Sequence, residues 1–209
     1  MLKIKICGIT NLTDALLSIE LGADALGFIF YPPSPRYIDP VKAEMITRQL
    51  PPLVTTVGVF VNPALAEITE VAQRTGIMTV QLHGSEEPEF CQKIHLPVIK
   101  AFRVSHDFQL DELEKFKVQG YLLDSFSKQA LGGTGQRFDW EIARAAQKNR
   151  NIILAGGINP DNIIQAIEMV HPYGIDVCSG VESIPGKKDK RKLRSLFKKV
   201  NRIRYEKTI

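Results

Sequence analysis

Short apolar runs alternate along the whole chain with segments whose apolar residues recur at helical spacing. Several of the runs are apolar at nearly every position, which is typical of parallel β-strands buried on both faces. The pattern predicts eight strands, at residues 4–9, 24–30, 55–61, 79–84, 97–102, 121–125, 151–158 and 174–180.

Helix-start signals follow most of these strands. They consist of a short polar side chain suited to an N-cap, in three cases with proline at the next position. The predicted caps are Thr10 or Asn11, Asp39-Pro40, Asn62-Pro63, Asp139 and Asn159-Pro160. The pattern also predicts helices over 14–21 (closed by Gly22), near 87–95, weakly over 110–116 and across the basic segment 187–207.

Eight strands alternating with eight helices, without a linker or a break in composition, predict one (β/α)8 TIM barrel domain over residues 1–209. An α/β fold with a doubly wound open sheet is the competing architecture. No G-x-G-x-x-G follows the first strand, and no acid lies at the spacing that binds a nucleotide ribose. Both observations favour the barrel.

Composition narrows the class of protein. The 209 residues are 44% hydrophobic, enough for one buried core. No apolar run approaches the roughly 18 residues of a membrane span, and the N-terminus enters a strand without a signal-peptide pattern. Three widely spaced cysteines, Cys7, Cys91 and Cys178, predict neither a disulfide framework nor a structural zinc site. We expect a cytoplasmic protein.

The formal charge of +4 comes from one terminal segment. Residues 187–207 hold eleven of the 27 Lys and Arg residues and two acids, so the rest of the chain is net negative. The apolar residues of this segment share one helical face: Leu193, Leu196, Phe197, Val200 and Ile203. We predict a docked helix with a solvated cationic face, and no nucleic-acid or membrane partner. RNA or membrane binding by the segment is the alternative, and it would weaken steeply with salt.

In a barrel, chemistry belongs at the carboxyl ends of the strands. Gly156, Gly157, Ser179 and Gly180 follow strands seven and eight, where bare backbone N–H groups can hold a phosphate. Arg36, behind Pro35 on a loop, offers a guanidinium fork for a carboxylate or a second phosphate.

Cys7 and Asp124, after strands one and six, are a candidate acid–base pair. A thiolate can act as a base and a carboxylic acid as its counterpart, provided that each is tuned by its surroundings. A lone cysteine is more often an inert buried residue, and we interpret Cys91 and Cys178 in this way.

The strand-end residues fall within motifs that resemble those of the phosphoribosylanthranilate isomerases of tryptophan biosynthesis. The motifs run in order from Lys5 to Glu182: Lys5-Ile6-Cys7-Gly8-Ile9-Thr10, Ser34-Pro35-Arg36-Tyr37, Val57-Gly58-Val59-Phe60, Val80-Gln81-Leu82-His83-Gly84, Leu123-Asp124-Ser125 with Gly132-Gly133-Thr134-Gly135 and Phe138-Asp139-Trp140, Leu154-Ala155-Gly156-Gly157-Ile158 with Pro160-Asp161-Asn162, and Asp176-Val177-Cys178-Ser179-Gly180-Val181-Glu182. The resemblance implies a barrel of the ribulose-phosphate-binding type.

The resemblance also implies an activity, the Amadori rearrangement of N-(5-phosphoribosyl)anthranilate to 1-(o-carboxyphenylamino)-1-deoxyribulose 5-phosphate. Such an enzyme is an intramolecular oxidoreductase that interconverts an aldose and a ketose. By analogy Asp124 is the general acid and Cys7 the general base, while Arg36 binds the anthranilate carboxylate. The backbones of Gly156, Gly157, Ser179 and Gly180 bind the phosphate. The analogy implies a small-molecule substrate, no cofactor and no metal, in a monomer or a homodimer.

Five further residues have less definite roles. Gln81 and His83 match a motif, and His83 either contacts substrate or caps the strand end as a hydrogen-bonded imidazole. Asp176 either touches a sugar hydroxyl or orients the phosphate loop. Cys178 departs from the family, which usually has a small hydroxyl residue there. Arg103 lies at a strand end, with a site role and a surface role equally open.

Two alternative functions stay open at this level. One is a phosphosugar-binding barrel without catalysis, although such a protein has no need of an acid–base pair. The other is relaxed specificity toward the related isomerisation of histidine biosynthesis. That substrate carries two phosphates, and only Arg36 is available for the second.

Overall fold

Eight parallel strands close into a barrel in the computed structural model, which describes residues 1–105, 108–124, 135–147 and 151–206. The strands follow one another in chain order, and β1 pairs with both β2 and β8. They are β1 (Lys3–Ile6), β2 (Ala25–Ile29), β3 (Thr55–Phe60), β4 (Thr79–Leu82), β5 (Val98–Arg103), β6 (Gly120–Asp124), β7 (Ile152–Ala155) and β8 (Gly174–Val177). The predicted (β/α)8 barrel is confirmed.

Helices separate the strands and cover the outside of the barrel. They are α1 (Leu12–Leu21), α2 (Pro40–Thr47), α3 (Leu65–Thr75), α4 (Pro88–Cys91), α5 (Gly135–Ala145), α6 (Ile163–Val170) and α7 (Lys190–Glu206). Two predicted helices differ. The segment 110–116 forms a 3₁₀ helix, Leu110–Lys115, in which Leu113 is the one fully buried side chain. The helix predicted near 87–95 is only the single turn of α4.

Two predicted helix starts are confirmed. The Asn11 side chain accepts a hydrogen bond from the Asp14 backbone N–H (2.9 Å), and α1 ends at Gly22 with φ at 114°. The Asp39 side chain accepts from the Val41 N–H (2.8 Å), with Pro40 as the first residue of α2. These caps satisfy N–H groups that have no partner within the helix.

Three other predicted caps are wrong, because Asn62 and Asn159 make other bonds within their loops and Asp139 lies inside a helix. Asn62 has a left-handed backbone (φ 49°) and accepts from the Ser85 N–H, while α3 begins at Leu65. Asn159 bonds to the backbone of the turn before α6, whose N-cap is Asn162. Asp139 lies inside α5, because helical geometry already begins at Gly135.

Apolar residues pack in two layers. The larger cluster fills the space between the barrel and its helices. A smaller cluster, formed by Ala101, Leu122, Ile153 and Ala155, lies on the other face of the strands. Because side chains alternate along a strand, this second face is the inside of the barrel. Lys5, Gln81 and Asp176 are buried polar residues of β1, β4 and β8.

The basic segment divides into two elements. Lys187–Lys188 forms β10, an antiparallel partner of β9 (Glu182–Ile184), and α7 follows. Leu193, Leu196, Phe197 and Val200 are buried, as predicted. The cationic face is not wholly solvated, however. Lys188 is 3% exposed, and Lys192, Lys199 and Arg204 bond to backbone carbonyls of the protein. In the part of the chain that the structure describes, no helix is long and apolar enough to span a membrane.

Candidate active site

The predicted catalytic residues both lie at the carboxyl rim of the barrel. Cys7 directly follows β1, and Asp124 is the last residue of β6. The Cys7 residue is only 5% exposed, whereas the Asp124 side chain is 22% exposed. The thiol is therefore enclosed, and the carboxyl group reaches the open end of the barrel. The loop 125–134 after Asp124, which contains the predicted Leu131-Gly132-Gly133-Thr134 stretch, lies outside the described residues.

Gln81, His83 and Asp124 form a series of polar contacts across strands β4 to β6. The Nε2 atom of His83 lies 3.3 Å from Asp124 Oδ2, and its Nδ1 lies 3.1 Å from the Gln81 amide nitrogen. The imidazole is therefore held between an amide and a carboxyl group. Gln81 Oε1 is buried and has no hydrogen-bond partner among the described residues. The arrangement places the Nε2 atom of His83 against the Asp124 carboxyl group.

Cys7 lies beside another thiol and two ammonium groups. A hydrogen bond from Cys178, helped by Lys5 and Lys188, outweighs burial and lowers the pKa of Cys7 well below its usual value. The same hydrogen bond and burial raise the pKa of Cys178. Hydrogen bonds and cations both favour a thiolate over a thiol. These surroundings favour a negative charge on Cys7 over one on Cys178.

Asp176 pairs with Lys5 inside the barrel. The Lys5 ammonium lies 2.9 Å from Asp176 Oδ1, and the two side chains are 5% and 8% exposed. Burial raises the pKa of Asp176 to about 6, against the opposing effect of Lys5. The Asp176 carboxylate therefore contacts the buried ammonium group of Lys5 directly.

Arg36 is held by a carboxylate of the hairpin that follows β8. Its Nε lies 3.0 Å from both oxygens of Glu182, and its Nη2 lies 2.7 Å from Oε2. Lys188 approaches Oε1 of the same group at 3.0 Å. Burial raises the pKa of Glu182, but Arg36 and Lys188 outweigh burial and leave this pKa below its usual value. The described contacts with Glu182 use Nε and Nη2 of Arg36, so its Nη1 can donate to a second anion.

The predicted phosphate loops pack directly on each other. Gly156 and Gly157 have φ values of 83° and 64°, and Gly157 and Ser179 are exposed at the rim. A Cβ on Gly180 would lie 1.9 Å from the Ile158 carbonyl oxygen. Only glycine fits at this contact, so the loops after β7 and β8 form one bare-backbone surface.

A cleft of about 670 Å³ opens between the loops after β3, β4 and β5. His83 and Arg103 both line it, and Phe102, Phe108 and Phe116 form an aromatic wall. Arg103 is exposed at strand β5, so the structure places it at the rim and outside the buried cluster around Cys7.

Sequence reasoning missed four residues of this site: Lys5, Cys178 in its role as thiol partner, Glu182 and Lys188. Lys5 carried a usable signal, because alternate residues of a strand share a face and Lys5 is two positions before Cys7. Lys188 gave no signal of its own, because it lies within a run of basic residues. The partnership of Glu182 with Arg36 joins positions 146 residues apart, and no local pattern indicates it.

The described residues hold no group of three His, Cys, Asp or Glu side chains arranged for a metal ion. Cys7, Cys91 and Cys178 are all free.

Comparisons with known proteins point to one family. Residues 4–199 match the family described as N-(5′-phosphoribosyl)anthranilate (PRA) isomerase. An N-(5′-phosphoribosyl)anthranilate isomerase from Pelobacter propionicus is 50% identical over 208 residues, covering 100% of both chains. A Thermotoga maritima phosphoribosyl anthranilate isomerase structure is 45% identical, with a TM-score of 0.86 over 96% of this chain and 99% of that one. A phosphoribosyl anthranilate isomerase solved with reduced 1-(o-carboxyphenylamino)-1-deoxyribulose 5-phosphate is 44% identical, with a TM-score of 0.84 and the same coverage.

Proposed function

The chain belongs to the N-(5′-phosphoribosyl)anthranilate isomerase family, an enzyme family of tryptophan biosynthesis, and on that premise we propose that Cys7 and Asp124 carry its acid–base chemistry. The observation that supports this most strongly is the enclosed Cys7 thiol, whose pKa is lowered by Cys178, Lys5 and Lys188. A general base must be largely deprotonated near neutral pH, and this environment favours that state.

In the first step Asp124 opens the sugar ring. Its protonated carboxyl gives a proton to the furanose ring oxygen, and the bond from that oxygen to C1 breaks. The electron pair of the bond stays on the oxygen, which becomes a hydroxyl. The anthranilate nitrogen forms the double bond to C1, giving a protonated Schiff base. The rim position of Asp124 suits an acid that must reach a substrate atom.

In the second step the Cys7 thiolate removes the C2 proton. The electrons of the C–H bond form the C1–C2 double bond, and the Schiff-base nitrogen regains its lone pair. The resulting enolamine becomes the ketone. In net terms one proton leaves the C2 hydroxyl and one arrives at C1, which restores both catalytic groups.

Binding of the two substrate anions would fall to different parts of the rim. The bare backbone of Gly156, Gly157, Ser179 and Gly180 suits the phosphate. Arg36 suits the anthranilate carboxylate, which would meet the Nη1 side of a guanidinium already oriented by Glu182. His83, which lies 3.3 Å from Asp124, and Asp176, which pairs with Lys5, would act mainly through those partners.

We further propose that residues 1–209 act as one barrel domain in the cytoplasm. Direct pairing of β1 with β8 supports the single domain. The three free cysteines suit a reducing setting.

The proposal is tested by measuring turnover and ligand binding on the same preparations of the parent, Cys7→Ser and Asp124→Asn proteins. The binding probe is reduced 1-(o-carboxyphenylamino)-1-deoxyribulose 5-phosphate. We expect all three proteins to bind it and only the parent to turn over phosphoribosylanthranilate. A parent that binds without turnover would support a binding barrel instead, and turnover by either variant would remove that residue from its assigned role.

A further inference from the structure

Lys5 and Cys7 lie on the same side of the first strand and reach the same point inside the barrel. Both side chains extend toward Gly27 on the neighbouring strand β2, which has no side chain of its own. A Cβ at Gly27 would lie 2.7 Å from Cys7 Sγ and 3.0 Å from Lys5 Nζ. The absence of a side chain at Gly27 therefore makes room for the sulfur and the ammonium to lie together.

The Lys5 ammonium is a permanent charge in this position. Burial alone would lower its pKa, but Asp176 and Cys7 outweigh burial and leave the pKa of Lys5 raised. A buried cation is tolerated only when an anion and hydrogen bonds compensate it. Asp176, at 2.9 Å, gives part of that compensation.

The charged side chains that pair with one another around Cys7 are three cations and two carboxylates. The cations are Lys5 on β1, Arg36 on the loop after β2, and Lys188 on β10, which donates to the Cys7 carbonyl. The carboxylates are Asp176 on β8 and Glu182 on β9. A third carboxylate, Asp14, accepts from the Lys188 backbone N–H within the first turn of α1, where the helix terminus favours an anion. A thiolate on Cys7 balances the excess cation.

We propose that Lys5 is a positioning residue that holds Cys7 in its thiolate form, with Asp176 anchoring Lys5 beneath the sulfur. The inference deepens the proposed function, since it explains how the assigned base is kept ready to accept the C2 proton. Lys5 itself does not touch the reacting atoms in this account. Its contribution is electrostatic and acts through Cys7.

The test is a pH titration of the Cys7 thiolate by its ultraviolet absorbance, without substrate. Each protein is measured against its own Cys7→Ser counterpart, so that the difference isolates this sulfur. In Lys5→Met we expect the titration midpoint to rise by about one pH unit or more, since one unit corresponds to a tenfold change in the thiolate equilibrium. In Asp176→Asn we expect the midpoint to fall, because Lys5 then has only the sulfur as an anionic partner.

Opposite shifts distinguish a charge effect from damage to the fold, which would move both variants in the same direction. The matched control is Lys100→Met. Lys100 forms an equally buried pair with Glu86 at 2.9 Å, with side chains 4% and 3% exposed, on β5. Its loss should destabilise the protein much as Lys5→Met does, without moving the Cys7 midpoint. If Lys5→Met does not fold, Asp176→Asn carries the test alone.

A Lys5→Met midpoint equal to that of the parent, or shifts of the same sign in both variants, would overturn the inference. The pH dependence of kcat/KM separates it from the proposed function. Its acidic limb reports the free enzyme's base and should move with the thiolate midpoint. If the midpoint moves and the acidic limb does not, the role of Lys5 in ionising Cys7 stands and the assignment of Cys7 as the base fails.

Discussion

The imidazole of His83 and the carboxyl group of Asp124 lie next to each other at the rim, with Nε2 3.3 Å from Oδ2. Gln81 contacts the other ring nitrogen at 3.1 Å, so the imidazole is held between the Gln81 amide and the Asp124 carboxyl group. Both residues are strand ends of the same barrel, two strands apart. Under the proposed function, this contact would let His83 orient the acid, a role different from that of a residue that only binds substrate.

Substitution of His83 by leucine should therefore lower kcat more than it raises KM. We expect kcat to fall by roughly tenfold to a hundredfold, the size of effect that follows when a catalytic group is misplaced by about 1 Å. His95→Leu, at an exposed histidine before β5, is the control and should behave like the parent. A change confined to KM would show instead that His83 contacts substrate directly.

Asp124→Asn should lose most activity while it retains the fold, because an amide cannot donate the proton that opens the furanose ring. The expected loss in kcat/KM is about 10²–10⁴-fold, the range that a general acid contributes. Steady-state kinetics and thermal unfolding on the same preparation check this result. Near-parental activity in a folded Asp124→Asn protein would move the acid to another residue.

Glu182→Gln should affect both stability and substrate binding, since Glu182 orients Arg36 and balances Lys188. Removing one partner of a buried ion pair costs about 3–5 kcal/mol, and we expect KM to rise as Arg36 loses its fixed direction. Glu44→Gln is the matched control, because Glu44 also pairs with two arginines, Arg48 and Arg74, but at the surface. Its loss should cost less than about 1 kcal/mol. Equal losses in the two variants would contradict this role of Glu182.

Glu182 also predicts how stability depends on pH. The pKa of this carboxylate is lowered from 4.5 by its cationic partners, against burial. A lowered folded pKa means that its stabilising contribution is complete above the unfolded value of 4.5 and is lost as the pH falls through the folded value. The free energy of unfolding of the parent and of Glu182→Gln should therefore converge below pH 4.5. A constant difference across that window would exclude this charge effect.

Gly180→Ala should separate the two phosphate loops. The new methyl group would lie 1.9 Å from the Ile158 carbonyl, so the backbone must move, and we expect KM to rise by at least about tenfold through loss of phosphate contacts. Gly76→Ala tests backbone strain alone, because Gly76 has φ at 65° with open space around it. It should cost about 1–2 kcal/mol in stability without changing KM. Unchanged KM in Gly180→Ala would argue against a phosphate site at this contact.

The barrel could be predicted from the sequence because the evidence for it, the hydrophobic periodicity and the helix caps, lies in residues that are close together along the chain. Buried strands, caps such as Asn11 and Asp39, and the order of elements all depend on neighbouring residues. Predictions failed where a loop residue has a distant partner, as Asn62 does with Ser85. The same limit hid the Arg36–Glu182 pair and the buried state of Lys188, since charge runs reveal composition and not packing. Rim positions of Cys7 and Asp124 followed from strand ends alone, whereas the Cys178 hydrogen bond required the folded chain.

The central claim is that Cys7 and Asp124 isomerise phosphoribosylanthranilate without a metal ion. The most direct measurement follows the fluorescence decay of this substrate, formed in situ from anthranilate and phosphoribosyl pyrophosphate by the preceding enzyme. It is made with parent and Cys7→Ser proteins, each with and without EDTA. We expect an enzyme-dependent decay that EDTA leaves unchanged and that Cys7→Ser abolishes. Decay that stops with EDTA, or persists in a folded Cys7→Ser protein, would contradict it.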